Sequence, residues 1–388
     1  MIATRLAQLA LCAGVMAPVR SASPGGAPAS GAPSDSTAAS ALQVPIPAGA
    51  PVLLAWKPAA GAKLVRRVEL SQELGLARLA IRTGGVEQLG QHSMSLKSNL
   101  QVLVRDELRE LDALGPKLLQ RRHDDWLFSA TLVHKSPGAE ERRTLFEATS
   151  PLSGASVVHV RGADGAFGRH YDERESPEEF LARLEEDCDL RGFLPGREVV
   201  VGEQWNVAPR ALALALCPGG AAPMRFLKGE EDLYLRQLGA GLGGPLHELL
   251  LAAAWEGGAR ARFVRVEEVG GAREAVVEIE IDAKAECEQL RYANDQLSLG
   301  DRLDGRVVVE ARGSFAFAGK GELRHALDAG HVKSLSLEGR QKLGASVRTE
   351  LGGKDDMSQA IELDGTLKLE WSISAPKARR AVPPPSPK

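Results

Sequence analysis

Ala275-Val276-Val277-Glu278-Ile279-Glu280-Ile281-Asp282-Ala283-Lys284-Ala285-Glu286-Cys287 decides the fold. Every odd position of this stretch is apolar, and from Glu278 on every even position is charged. Strict alternation by twos is the signature of an antiparallel strand with one face on a core and the other in water. At ~3.3 Å per residue the stretch spans about 43 Å, far beyond the usual five or six residues. A strand of that length needs partners of similar length.

The downstream sequence supplies them. Val307, Val309, Ala311, Gly313, Phe315 and Phe317 repeat the odd-position pattern. A strand around Leu323 and Leu327 meets Leu335 and Leu337 across Asp328-Ala329-Gly330, a hairpin signal. Ile361, Leu363, Leu367, Leu369, Trp371 and Ile373 share one face of a last strand. Upstream, Ala259 to Val266 alternates with a phase slip at Phe263-Val264, where a β-bulge is expected, and Gly270-Gly271 turns into the long strand. The pattern predicts an α+β fold, mostly antiparallel, in which long curved sheets form a meander with a few helices on one face.

The N-terminal half is less regular. Lys63 to Leu70, Leu76 to Arg82, Leu96 to Val104 and Trp126 to Val133 read as strands, and Val157 to Val160 with the glycines at 162, 165 and 168 as a hairpin. Arg105 to Leu114 is compatible with helix or strand. Leu194 to Trp205 reads as a Pro-Gly turn, a valine strand and a second bend at Gly202. Ser176 to Leu190 is expected to be a helix: Ser176 and Glu179 form a capping box, Pro177 suits the first turn, and Phe180, Leu181, Leu184 and Cys188 share a face.

The ends differ in kind from the middle. Arg5 before the apolar run Leu6 to Val19 makes residues 1–22 an export signal, too short and poorly flanked for a membrane span. Residues 23–50, rich in Ala, Ser, Pro and Gly, read as a flexible linker, and 375–388 as a disordered basic, Pro-rich tail. Between them lie an N-terminal β-rich half, 51–210, and a C-terminal meander, 211–374. Formal net charge is −3, and −5 without Arg5 and Arg20. That balance disfavours nucleic acid and anionic membrane surfaces as partners. Cys188, Cys217 and Cys287 remain after the signal, an odd count that leaves at least one free thiol; either Cys188 pairs with Cys217 or, more simply, all three are small buried hydrophobes, and no CxxC is present.

Few residues suggest chemistry. Gly239-Ala240-Gly241-Leu242-Gly243-Gly244 fits GxGxxG, but no βαβ pattern surrounds it. His247-Glu248 opens like a zinc-protease motif, yet Leu251 stands where the second histidine belongs. No cofactor or metal is implied. A hydrolase with a non-standard site would draw on His123, Asp124 and Asp125, or on His159 and His170. The other candidate is a change of size on the inward side of the long strand. Val277, Ile279 and Ile281 give way to Ala283, Ala285 and Cys287, and the neighbouring strand carries Ala311 and Gly313. Space beside these five residues must be filled by a close-packed helix or by an apolar, lipid-like ligand, because an empty cavity costs a few kcal/mol.

Pro151-Leu152-Ser153-Gly154, Leu194-Pro195 through Val199, Val201-Gly202 with Trp205, and Gly319-Lys320-Gly321-Glu322-Leu323 resemble a group of uncharacterised exported bacterial β-rich proteins. The resemblance spans most of residues 60–374 and implies secretion and a β-rich fold; its motifs are turn and core residues. At the level of architecture alone the chain is similar to envelope lipid carriers, whose curved sheet wraps helices. The expectation is an exported, non-catalytic protein of the periplasm, envelope or exterior that holds an apolar ligand or serves as a structural component.

Overall fold

In the computed structural model the described residues are 42–43, 50–83, 86–89, 93–135, 138, 140–173, 177–182, 184–220, 222–226, 250–251, 253–294, 307–351 and 355–376. The two glycine- and histidine-bearing motifs at 239–248 and the export signal lie outside them.

The strands of the N-terminal half are β1 (Leu42–Gln43), β2 (Val52–Leu54), β3 (Lys63–Thr83), β4 (Val86–Leu89), β5 (Ser93–Asp112), β6 (Gly115–Lys135), β7 (Arg142–Thr149), β8 (Ser156–Arg161), β9 (Phe167–Tyr171), β10 (Arg197–Val199) and β11 (Gln204–Val207). Helix α1 (Pro209–Leu216) and β12 (Arg225–Phe226) follow. The long hairpins are β13 (Ala254–Val269), β14 (Ala272–Asn294), β15 (Val307–Ala326), β16 (His331–Leu351) and β17 (Asp355–Ser374). One open antiparallel sheet runs in the order β1-β13-β14-β15-β16-β17-β3-β5-β6-β7-β12, with β4, β8, β9 and β11 added at its margins. β17 pairs with β3 from Ser374↔Val65 to Met357↔Thr83, so the two halves of the sequence share this sheet. Within the stretch read as linker, Leu42 and Gln43 pair with Glu268 and Glu267 at the edge of β13.

The alternation that predicts β14 holds: Ile279, Ile281, Ala283 and Ala285 are buried while Glu278, Glu280, Asp282 and Lys284 are exposed. The phase slip at Phe263-Val264 is a bulge against Val277 and Val276. Two segments read as separate short strands, 63–70 and 76–82, are continuous in β3, and 105–112 is strand.

Glycines on the inward face allow the strands to coil. At Gly365 a Cβ would lie 1.8 Å from the Glu73 carbonyl oxygen, and at Gly339 one would lie 2.3 Å from that of Ala318. Any side chain there would push neighbouring strands apart, so the curvature of the sheet depends on these positions.

Leu181, Leu184, Cys188, Leu190 and Phe193, with helix α1, pack into the core on the apolar face. Trp371 Nε1 donates to the Ala215 carbonyl at 3.0 Å, fixing α1 on β17. Pro209 starts α1 at a position where its missing N–H costs nothing, and Ala211, Leu212, Ala213, Ala215 and Leu216 are buried. This helix falls in a stretch whose sequence reads as irregular.

Among the described residues of 176–190 the expected helix is absent. The described residues form one 3-10 turn, Glu178–Phe180, and then irregular chain, although Leu181, Leu184 and Cys188 are buried as the pattern requires. Tertiary hydrogen bonds explain the difference. Arg121 donates to the Glu185 and Glu186 carbonyls, Arg66 donates to that of Cys188, and the Glu185 N–H goes to the Gly219 carbonyl. These bonds use groups that an α-helix would pair within itself.

Candidate functional site

Three places in the fold could carry function, and each begins from a break in the sheet's alternation. The first is the row of small residues. Ala283 and Ala285 are 1% and 0% exposed. On the neighbouring strands Trp255 pairs with Ala285, Phe315 with Ala285 and Phe317 with Ala283. Trp255 and Phe315 meet edge-on with centroids 6.1 Å apart. Large rings thus flank the two alanines. Cys287 and Gly313, a register pair, border a pocket of 630 Å³ with Ala345 and Ile361 on one side and Glu286, Arg312 and Glu362 around it. Ala311 pairs with Leu290 and Val347 in the same row system.

The second place is a buried polar hub. Arg66, Asp106, Arg121, His123 and His159 occupy inward positions on β3, β5, β6 and β8, and none exceeds 2% exposure. Arg121 grips the Asp106 carboxylate with two bonds, Nε to Oδ1 at 2.8 Å and Nη2 to Oδ2 at 2.9 Å. Arg66 Nε lies 2.9 Å from Oδ2, an ion pair without hydrogen-bond alignment. Burial alone would raise the Asp106 pKa, but Arg121 and Arg66 override it and hold the carboxyl at about 2. Burial, reinforced by Arg121, pushes His123 down to about 3 and His159 well below 6.5, so both rings are neutral near pH 7.

The loop that the hub holds carries its own charges. Asp189, buried and next to Asp187, is raised to about 6, and Glu186 is raised by burial. Leu190 takes a left-handed backbone, φ 60°, which for a branched side chain is strained by about 1–3 kcal/mol. Arg191 stacks on the Trp56 ring at 5.5 Å and pairs with Glu186. Burial raises the Cys188 thiol to about 11, and Cys217, also buried, is raised further; both sit in the core as expected.

This geometry does not assemble the hydrolase set. His159 and His170 lie on adjacent strands, but His159 opposes Arg169 and is buried whereas His170 opposes Val158 and is exposed. They point to opposite faces of the hairpin. Asp124 is the extra residue of a bulge between the Leu103↔Asp125 and Val104↔His123 pairs, and Arg105 and Arg122 hold its carboxylate on the other side from His123. Among the described residues no group of three or more His, Cys, Asp or Glu is placed to hold a metal ion.

The third place is a trough of 1520 Å³ on the charged face. It crosses β13, β14, β15, β16, β17 and β3, and residues Asn206 to Pro209 close one end. Two register rows line it. One is Gly258, Asp282, Ala318, Arg340, Thr366 and Glu73; the other is Arg260, Glu280, Lys320, Glu338, Lys368 and Ser71. The second row alternates in sign from strand to strand. Among the described residues, Arg260, Glu280, Asp282, Lys320, Glu338 and Arg340 find no side-chain hydrogen bond and no ion pair within 4.0 Å. Closer to the hairpin tips the same face is paired up: Arg262 with Glu278, Arg324 with Glu322 and Glu267, and Lys333 with Glu274.

His123 and His159 of the hub were among the expected candidates, but the ion-paired Arg66, Asp106 and Arg121 were not, nor was the trough. The ion pair had a signal: Arg66 and Asp106 each stand at an inward position between apolar residues, as in Leu64-x-Arg66-x-Val68, and Arg121 stands between Leu119 and His123. The trough had none, because its rows exist only once the register of six strands is known.

No family model matches the chain, and no curated protein matches it. Among solved structures it is similar to an outer membrane channel from Pseudomonas putida F1, at 9% identity and a TM-score of 0.21, over 82% of this chain and 97% of that one. It is also similar to the InvG secretin-domain β-barrel of the Salmonella SPI-1 injectisome, at 8% identity and a TM-score of 0.16, over 84% and 66%. The transport unit of the autotransporter AIDA-I from Escherichia coli gives 8% and 0.15, over 80% and 90%. Overlap this low carries no property of those proteins over to this chain. No helix among the described residues is long and apolar enough to cross a membrane.

Proposed function

We propose that this chain is an exported, non-catalytic binding protein whose recognition surface is the trough across the charged face of the sheet. The observation that carries the reading is the set of six charged side chains, Arg260, Glu280, Asp282, Lys320, Glu338 and Arg340, which line a concavity and make no side-chain hydrogen bond and no ion pair within 4.0 Å among the described residues, Glu280 and Glu338 acting on Arg262 and Lys368 only over longer distances. A surface of this kind recognises a polar ligand with charges of both signs, since a ligand of one sign meets repulsion at every second strand. Export is supported by the character of residues 1–22. The non-catalytic reading is supported by the hub, where the carboxylate is locked between two guanidiniums and both imidazoles are sealed from solvent.

The test is thermal stabilisation by a panel of soluble mixed-charge peptides, polyglutamate, polylysine, heparin and fatty acids. Mixed-charge peptides should raise the melting temperature of the protein and lose that effect in the Lys320→Glu/Arg340→Glu variant. Stabilisation by fatty acid alone would restore the apolar-ligand expectation at Ala283, Ala285, Cys287, Ala311 and Gly313 and overturn this reading. Equal stabilisation of both proteins by the peptides would overturn it as well.

A further inference from the structure

The sign pattern of the trough has a spacing as well as a balance. Arg260, Glu280, Lys320, Glu338 and Lys368 follow one another through successive register pairs, one per strand, in the order plus, minus, plus, minus, plus. Neighbouring strands stand ~4.8 Å apart, so the five charges repeat at that interval over about 19 Å. All five are exposed, and Lys368, at the end of the row, also pairs with Glu370 of its own strand at 2.6 Å. In the adjoining row the smaller residues Gly258, Ala318 and Thr366 alternate with Asp282, Arg340 and Glu73.

A partner must present opposite charges at a matching interval. An extended polypeptide places same-face side chains ~6.8 Å apart, so over four steps it falls about 8 Å out of phase, more than one strand. A lone zwitterionic head group meets one neighbouring pair and leaves the rest of the ladder unused. An α-helix brings a side chain to the same face about every 5.4 Å, and the accumulated mismatch over four steps is about 2.4 Å. Flexible lysine, arginine and glutamate side chains absorb that much. Polyanions and polycations are excluded by the alternation itself.

Resting on the trough as the recognition surface, we infer that its occupant is an α-helix of a partner protein carrying acidic and basic residues alternately along one face. The helix lies across the strands, its acids toward Arg260, Lys320 and Lys368 and its bases toward Glu280 and Glu338. Alternation within the helix also supports it in isolation, because opposite charges three or four residues apart stabilise a helix.

The experiment uses the full chain and fluorescently labelled 20-residue peptides on an alanine background. The probe carries glutamate and lysine alternately at successive third and fourth positions. Controls carry only glutamate or only lysine there, or the mixed charges with two interior prolines; vesicles of phosphatidylethanolamine and phosphatidylcholine represent head groups. At low salt the helical mixed-charge probe should bind about tenfold or more tightly than every control and weaken as salt rises. The Lys320→Glu/Glu338→Lys exchange, which keeps net charge and composition, should weaken it by about tenfold while circular dichroism and the unfolding midpoint stay unchanged. Equal binding of the proline-containing peptide would overturn the helix while leaving the trough as a site for mixed charge. No peptide binding, or equal binding to the exchanged variant, would overturn both, and preference for vesicles or a single-sign peptide would overturn the helix and its charge logic together.

Discussion

Arg121 and Asp106 face each other across β6 and β5 in a two-pronged ion pair, with neither side chain more than 1% exposed. The same guanidinium also donates through Nη1 to the Glu185 carbonyl and through Nη2 to the Glu186 carbonyl. The pair therefore joins the sheet to the chain that covers it. Its desolvation is offset only while both partners are present.

Asp106→Ala should consequently destabilise the protein by about 3–5 kcal/mol, because it leaves two guanidiniums buried without a counter-charge. Replacing Arg66, Asp106 and Arg121 together by methionine or leucine should cost less than the single change. Urea unfolding of both variants checks this. Equal stability of Asp106→Ala and the parent would show that water reaches the hub.

Acid should weaken the fold in two stages. His123 at about 3 and His325 at about 4 are held below 6.5 chiefly by burial. Their contribution to stability is complete above 6.5 and is lost as pH falls toward those values, since the unfolded chain takes up the protons first. Asp106, held at about 2, contributes stability that is complete above 3.8 and is lost as pH falls through 2. Asp189, raised to about 6 by burial and Asp187, acts in the opposite sense: its contribution is complete below 3.8 and is lost as pH rises through 6. His123→Phe should remove about one proton from the uptake on unfolding between pH 6.5 and 3, read from the slope of unfolding free energy against pH. An unchanged slope would place the imidazole in water.

Ala285→Leu measures whether the small-residue row is filled. With Trp255 and Phe315 beside it, the added carbons should overpack the core and cost about 1–3 kcal/mol. A neutral or stabilising effect would mean open space and would favour an apolar ligand there.

Gly365→Ala should destabilise far more than Gly61→Ala. The first would drive a Cβ to 1.8 Å from the Glu73 carbonyl oxygen, whereas the second meets nothing within 4 Å and bears only the strain of φ 77°, about 1 kcal/mol. Differential scanning calorimetry of the two variants separates crowding from backbone strain.

Sequence alone determined the sheet. Charged and apolar residues alternate so regularly from Ala275 to Cys287 that one face had to be wet and the other dry, and the glycine turns at 270–271 and 328–330 marked where the hairpins close. Periodicity is a local property, and a strand obeys it whatever its neighbours are. The segment 176–190 shows where local reading fails: its capping box and apolar face favour a helix, but guanidiniums from strands more than sixty residues earlier take its carbonyls. Only the tertiary structure brought Arg66, Asp106 and Arg121 together. It alone lined up Arg260, Glu280, Lys320, Glu338 and Lys368, because each charge comes from a different strand and their order depends on register, which no single strand specifies.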